Sequence, residues 1–428
     1  MLATDGARCG VPVDAKWFLT AGDGEGGADT EMTQAQTRDV GATSHGVIEG
    51  THVALIGLGN IGGFAAGLLA RLRGLARLTL IDRDVYDASN LTSQDIAAAD
   101  VGAPKAVAQA ERLRRITPSL VVAPVVDDVE SVPLGLLHAD VLVACLDSRR
   151  ARQSVNQAAW RLGIPWIDAG VQADQSLARV NVYVPAADQP CLECAWDRRD
   201  YDLVEQVYPC GGAPAPATNA PASLGALAAA LQVLECQKLL AGHTERAATG
   251  KQVLIDTASH RHLVTSFRRN PACGFDHISW HIEPLAQAPS ALSVGAALAL
   301  AADGCGTGEA VLGVEGQVFV AQLTCPGCGE TRSLSWRLSG RLGLARQCQG
   351  CRQPMMATGF DTIEWLGASQ LPAQALAQAL VCPLADMGFQ SGDVVTVRAG
   401  NSERHFELGP TPPEPGRVVF GSSLSGAC

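Results

Sequence analysis

Gly57, Gly59 and Gly62 are spaced G-x-G-x-x-G inside "VALIGLGNIGGFAAGLLARL", between an apolar strand-like run and an alanine-leucine helix pattern. Glycines there let the backbone approach a phosphate, and the following helix presents N–H groups with no intrahelical partner. Asp82 stands twenty residues past Gly62, at the end of the next strand-like run, where a carboxylate can hold ribose hydroxyls. Alone, these two features suit a nicotinamide dinucleotide and would make the chain an NAD-dependent oxidoreductase. A second chemistry is carried by sulfur. Cys325-x2-Cys328 and Cys348-x2-Cys351, nineteen residues apart, have the spacing of a zinc ribbon with two glycine-containing knuckles.

The elements that must position these groups follow from the apolar pattern. "HVALIGL", "RLTLID", "LVVAPVV", "VLVACLD" and "PWIDAG" read as strands, with helices over "PKAVAQAERLRRI" and "RRARQSVNQAAWRLG". Such alternation predicts a doubly wound, Rossmann-like α/β sheet. Cys145, in the fourth run, reads as core. "ASLGALAAALQVLECQKLLAG" predicts a buried helix with Leu224, Leu227, Leu231 and Leu234 on one stripe, ending at Gly242, and Cys236 on it also reads as core. "QVLIDTASHRHLVTSF" reads as a hairpin of edge strands.

The 428 residues divide into a mobile arm over 1–48, the α/β domain over 49–285 and a small-residue linker or short helix over 286–310. The ribbon unit over 311–357 and a small α+β unit with a tail over 358–428 complete the chain. In the last unit "LPAQALAQALVCPLADMGFQSGDVVTVRAGNSERHFELG" reads as a helix and two strands meeting at "RAGNSE".

A net charge of −11 argues against a general nucleic-acid or anionic-membrane binder. No apolar run is long enough to span a bilayer, and the first residues lack a signal-peptide pattern. A soluble, cytoplasmic protein is expected, and 14 cysteines in such a chain point to metal or a reactive thiol before disulfides.

"LIDRDVYDASNLTSQ", then "VGAPKA", then "ACLDSRRAR" resemble the adenylating family of MoeB, ThiF and the ubiquitin-activating enzymes. That family's pattern is D-x-D-x-V-x-x-S-N-L-x-R-Q, then G-x-x-K, then D-x-x-x-x-R. Here it is carried by Asp82, Asp84, Ser89, Asn90, Leu91 and Gln94, then Gly102 and Lys105, then Asp147 and Arg152. Tyr86 replaces the valine. Ser93 replaces an arginine that contacts the triphosphate, and the family's N-terminal arginine pair has no clear match. Arg149, Arg150 or a partner subunit are the candidate substitutes.

The resemblance implies ATP and magnesium as cofactors and, as substrate, the C-terminal carboxylate of a small ubiquitin-like or sulfur-carrier protein. Attack of that carboxylate on the α-phosphate gives an acyl-adenylate and pyrophosphate. Asp82 is then the ribose ligand, Asp84 and Asn90 shape the nucleotide pocket, Asp147 holds magnesium, and Lys105 and Arg152 offset phosphate charge. The residues alone also allow Lys105 to be an exposed helix lysine and Asp147 a helix N-cap.

The same resemblance places one structural zinc on Cys191, Cys194 and Cys273, with the fourth family cysteine replaced by Asp276. His277 is the available fourth ligand. Cys210 falls where the family places a cysteine that captures the activated acyl group. Family members commonly form homodimers, and some recruit a conjugating enzyme through a module that the C-terminal unit weakly resembles; the plainer reading of that unit is a stabilising appendage. A degenerate relative that binds nucleotide or peptide without adenylation is the main competing reading.

Overall fold

The computed structural model describes residues 48–205, 220–300, 310–338, 347–357, 362–367, 377, 379–410 and 419–420. But for Ile48, the arm expected over 1–48 lies outside the described residues, and so does Cys210.

Five parallel strands build the sheet that the sequence predicts: β1 (Thr51–Ile56), β2 (Leu75–Ile81), β3 (Val121–Val126), β4 (Val141–Ala144) and β5 (Trp166–Gln172). Helices α1 (Gly62–Leu69), α2 (Lys105–Ile116) and α3 (Arg149–Leu162) connect them. Three antiparallel strands extend one side: β6 (Leu177–Tyr183), then β7 (Lys251–Asp256) and β8 (Arg261–Ser266), the expected hairpin. The order across the sheet is β3-β2-β1-β4-β5-β6-β7-β8. Chain direction through the sheet therefore reverses between β1 and β4, the switch point where open α/β sheets bind ligands.

Alternation along β1 explains the layers. Val53 and Leu55 face one core with α1 and α2, while Ala54 and Ile56 face the other with α3. Each buried aliphatic side chain contributes about 1.5–3 kcal/mol.

After the short helix α4 (Arg198–Glu205), helix α5 (Ala222–Leu240) packs beneath β5 and β6. Its buried face differs from the expected leucine stripe. Leu224 is buried, Leu227 and Leu231 only partly so, and Leu234 is 53% exposed. Ala228, Ala229, Gln232, Val233 and Cys236 do the packing instead, because small residues let the helix lie close to the sheet.

The stretch read as a linker or short helix does hold a short helix, with a strand on either side. After β9 (Ile282–Pro284) come α6 (Val294–Ala299) and β10 (Ala310–Gly313). β9 and β10 flank β14 (Val394–Ala399) and β15 (Ser402–Glu407) in a four-stranded sheet. Leu292, Val294 and Ala297 share a core there with Leu312, Val395, Val397 and Phe406. Between them β11 (Val318–Thr324), β12 (Thr331–Leu338) and β13 (Thr362–Ile363) form the sheet of the ribbon. A last strand, β16 (Val419–Phe420), pairs in parallel with β3.

Candidate active site and metal centres

A cavity of about 540 Å³ opens at the carboxyl ends of β1, β2, β4 and β5. Gly57, Gly59, Asp82, Asp84, Lys105, Asp147 and Arg152 all line it. Gly62 and Asn90 do not. Gly62 is buried in α1, where an added Cβ would lie 1.8 Å from the Gly57 carbonyl oxygen. Gly57 has φ +86°, and a Cβ there would sit 2.5 Å from the Cys145 carbonyl oxygen. Both positions require glycine for the loop to close on β4.

Asp82 accepts from the amides of Leu58 (2.6 Å) and Asp84 (2.8 Å), which ties the end of β2 to the glycine loop. Burial lifts its carboxyl above the ordinary aspartate value, against the pull of Lys105 and these two amides. Tyr86, at the position the resemblance gives to valine, is buried; its hydroxyl donates to the Leu58 carbonyl and receives a bond from Gln109, both at 3.0 Å. The phenol thus braces the phosphate loop from below, a role that valine cannot fill.

Lys105 is not an exposed helix lysine. It is 8% exposed at the start of α2, with its ammonium 3.1 Å from Asp84. Nor is Asp147 a helix cap. The Ser148 hydroxyl caps α3 by accepting from the Ala151 amide at 3.0 Å, and Asp147 makes no hydrogen bond among the described residues. An exposed carboxylate that accepts no hydrogen bond among the described residues and faces a cavity suits a hard divalent cation, which takes oxygen ligands.

Asn90 serves the loop instead of the cavity. Its side-chain oxygen accepts from the Asp87 amide at 3.1 Å, closing a capping box on the turn over Ala88–Thr92. Ser93 is also outside the cavity lining; its carbonyl accepts from Asn60 at 2.6 Å. The two arginines considered as substitutes are engaged elsewhere, Arg149 with Asp200 and Arg150 with Glu130.

On the far wall of the cavity, sequence reasoning found Arg152 but missed Asp168 and Arg179. Arg152 donates to Asp168 at 2.9 Å and to the Leu146 carbonyl, and Arg179 donates to the other Asp168 oxygen at 2.7 Å. Asp168 is fully buried, and both arginines line the cavity. No motif signals Asp168 or Arg179, because their meeting depends on the register of β5 against β6. Cys145 lies one residue past β4, at the cavity wall, rather than inside the strand. Burial and then Asp168 push its thiol well above the usual range, which keeps it unreactive.

Two cysteine clusters can hold metal. In the first, Cys191, Cys194, Cys273 and His277 bring their ligand atoms within 4.8 Å of one another. The Cys191 and Cys273 sulfurs are 3.8 Å apart, and Cys194 Sγ is 3.3 Å from His277 Nε2. A tetrahedron with metal–sulfur bonds of about 2.3 Å has edges of about 3.8 Å. Burial and then the neighbouring sulfurs hold the Cys191 thiol up, a crowding that a divalent cation relieves by stabilising thiolates. Asp276 turns away to Arg161, at 2.6 and 3.0 Å. In the second cluster Cys325, Cys328, Cys348 and Cys351 converge in the same way.

A family model described as the ThiF family matches residues 32–275. A ubiquitin-like modifier-activating enzyme 5 of Oryza sativa subsp. japonica is 30% identical over 158 residues, 33% of this chain and 37% of that protein. The sulfur carrier protein ThiS adenylyltransferase of Escherichia coli K12 is 29% identical over 226 residues, 52% of this chain and 84% of that protein. The crystal structure of E. coli MccB with ATP is 24% identical, with a TM-score of 0.44 over 53% of this chain and 67% of that one. The chain thus spans little more than a third of the first of these relatives, 37% of its length. No helix among the described residues is long and apolar enough to cross a membrane.

Proposed function

The chain belongs to the ThiF family, and from that premise we propose that it adenylates the C-terminal carboxylate of a ubiquitin-like or sulfur-carrier protein with magnesium ATP. The observation that carries the reading is the single cavity that gathers Gly57, Gly59, Asp82, Lys105, Asp147 and Arg152 at the switch point. The ThiS adenylyltransferase, similar over half of this chain, bears an activity of the same kind in its name.

In this reading Asp82 holds the ribose and the glycine loop carries the phosphates. Lys105, kept in place by Asp84, offsets charge that builds up as pyrophosphate leaves. Magnesium held by Asp147 supplies further positive charge against the triphosphate when bound. Arg152 faces the same cavity from α3. Cys210 then takes the acyl group: its thiolate attacks the acyl carbon, the acyl–phosphate bond breaks and AMP leaves with that electron pair. Both cysteine clusters hold zinc and are structural, since each offers four protein ligands and no open position.

Carrier-dependent ATP–pyrophosphate exchange is the test. Exchange that needs a carrier with a free C-terminal carboxylate is expected, and Cys210→Ala should spare it while abolishing a covalent enzyme–carrier adduct. Ser93 favours one other reading, a relative that binds nucleotide without adenylating. Tight ATP binding with no exchange across a panel of carriers would return that reading, and hydride transfer with NAD would overturn both.

A further inference from the structure

Asp168 receives one guanidinium on each carboxylate oxygen, Arg152 Nε at 2.9 Å and Arg179 Nη1 at 2.7 Å. One buried anion between two permanent cations leaves a positive charge unneutralised, and both cations face the cavity. A guanidinium carries five N–H donors. Arg179 gives one of its donors to Asp168 and has no second hydrogen-bond partner among the described residues.

The seat is built for this side chain. Gly170 pairs with Arg179 across β5 and β6, and a Cβ on Gly170 would lie 2.9 Å from Arg179 Nε and 3.0 Å from Nη2. Any larger residue at 170 would displace the guanidinium. Asp168, Gly170 and Arg179 share one face of the sheet, since side chains two apart on a strand point the same way.

Position separates Arg179 from the triphosphate. Lys105 and Asp82 lie on the β2 side of the glycine loop, whereas Arg179 lies on β6, beyond β4 and β5. At about 4.8 Å per strand, Arg179 starts about 14 Å from the loop's strand, β1. A nucleotide with its ribose at Asp82 and its phosphates at the loop leaves that side of the cavity to the second reactant.

We propose that Arg152 and Arg179, aimed by the positioning residue Asp168, form the subsite for the carboxylate of the acyl substrate. This rests on the adenylation reading. The planar fork of arginine matches a carboxylate, and holding one oxygen presents the other to the α-phosphorus. That oxygen forms a bond to phosphorus, the bond to the β-phosphate oxygen breaks, and its electron pair leaves on pyrophosphate. No proton moves, in keeping with arginine, which does not act as an acid at neutral pH.

The test uses the full chain, magnesium with the non-hydrolysable analogue AMPCPP, and two probes, pentaglycine with a free carboxylate and its C-terminal amide. Saturation-transfer NMR with competition gives the acid-to-amide affinity ratio. A ratio of about ten is expected for the wild type, the size of one charge-assisted bond. Arg179→Gln should bring it close to one. Arg179→Lys, which keeps the charge beside Asp168 and so guards the fold, should retain part of it. Analogue affinity should stay within about twofold throughout, because the triphosphate is held elsewhere. Equal binding of acid and amide by the wild type overturns the subsite. So does an intact ratio in Arg179→Gln, and with a concurrent fall in analogue affinity it puts Arg179 on the triphosphate. A wild type that binds no analogue overturns the adenylation reading, and this subsite with it.

Discussion

Lys105 and Asp147 enter the cavity from different elements, one at the start of α2 and the other just before α3, and neither is used up by the fold. Lys105 has only Asp84 as an ion-pair partner among the described residues, and the Ser148 cap frees Asp147. Their removal should therefore cost chemistry more than stability. Asp147→Ala should abolish magnesium-dependent pyrophosphate exchange, and Lys105→Ala should slow it by about a hundredfold or more, the scale for one lost charge-stabilising donor. Both variants should fold, and Asp147→Ala, at an exposed position, should keep the wild-type unfolding free energy within about 0.5 kcal/mol. Exchange at wild-type rates in both would remove these residues from the site. Most of this side was legible in the sequence because each group lies within a few residues of a glycine, a strand end or a helix start. Asp168 and Arg179 were not. They meet only through the antiparallel register that sets Gly170 opposite Arg179, and no local pattern encodes register.

At the scale of elements, period-two and period-3.6 patterns gave the strand and helix types, and the β7–β8 hairpin formed as read. Faces were harder. On α5 the leucines looked like the buried stripe, yet the alanines and Gln232 bury because the helix sits against β5 and β6. No local pattern marked 282–284 and 310–313 as strands of one small sheet, since each finds its partners about a hundred residues away. The small sheet they complete carries a titration that can be tested. His405 is 7% exposed, stacked on Trp280 at 3.9 Å and bonded to Thr396 at 3.0 Å. Burial lowers its pKa to about 4, helped by Arg161 and Arg398 and opposed by Glu403. The unfolded chain binds that proton near pH 6.5 and the folded chain only near pH 4. The stability it confers is thus complete above pH 6.5 and is lost as the pH falls toward 4. Between pH 7 and pH 5 the loss is about 2 kcal/mol from this one group. Urea unfolding at the two pH values, compared with His405→Gln, should show a smaller pH dependence in the variant. Identical pH dependence would mean that the ring is protonated in place.

Across the whole molecule, one side chain joins three parts that are distant in sequence. Arg161, near the end of α3 and 7% exposed on its side chain, forks onto Asp276 beside the first cysteine cluster and onto Glu315 in the turn between β10 and β11. It also donates to the Ile278 carbonyl at 2.9 Å, and its guanidinium lies 4.8 Å from the Phe275 ring and 4.9 Å from Trp280. His277 sits between two of these contacts, in a positive-φ conformation (61°) that the flanking bonds must hold. In the proposed zinc reading, position 276 exchanges a ligand for a tether to Arg161, and the adjacent His277 takes up the ligand's place. Removing the tether should loosen the metal without touching a ligand. Arg161→Leu is expected to release one zinc per chain to a chelator about 10- to 100-fold faster than the wild type, the usual effect of losing a group that orients a ligand. The ribbon's zinc, remote from Arg161, should leave at the wild-type rate. His277→Ala should lose the same single equivalent, and adding Arg161→Leu to it should accelerate nothing further, since both act on one site. Stopped-flow release into a chromogenic chelator resolves the two phases. Faster loss of both equivalents in Arg161→Leu would instead mark general unfolding, and unchanged loss of both would free the first site from any dependence on this arginine.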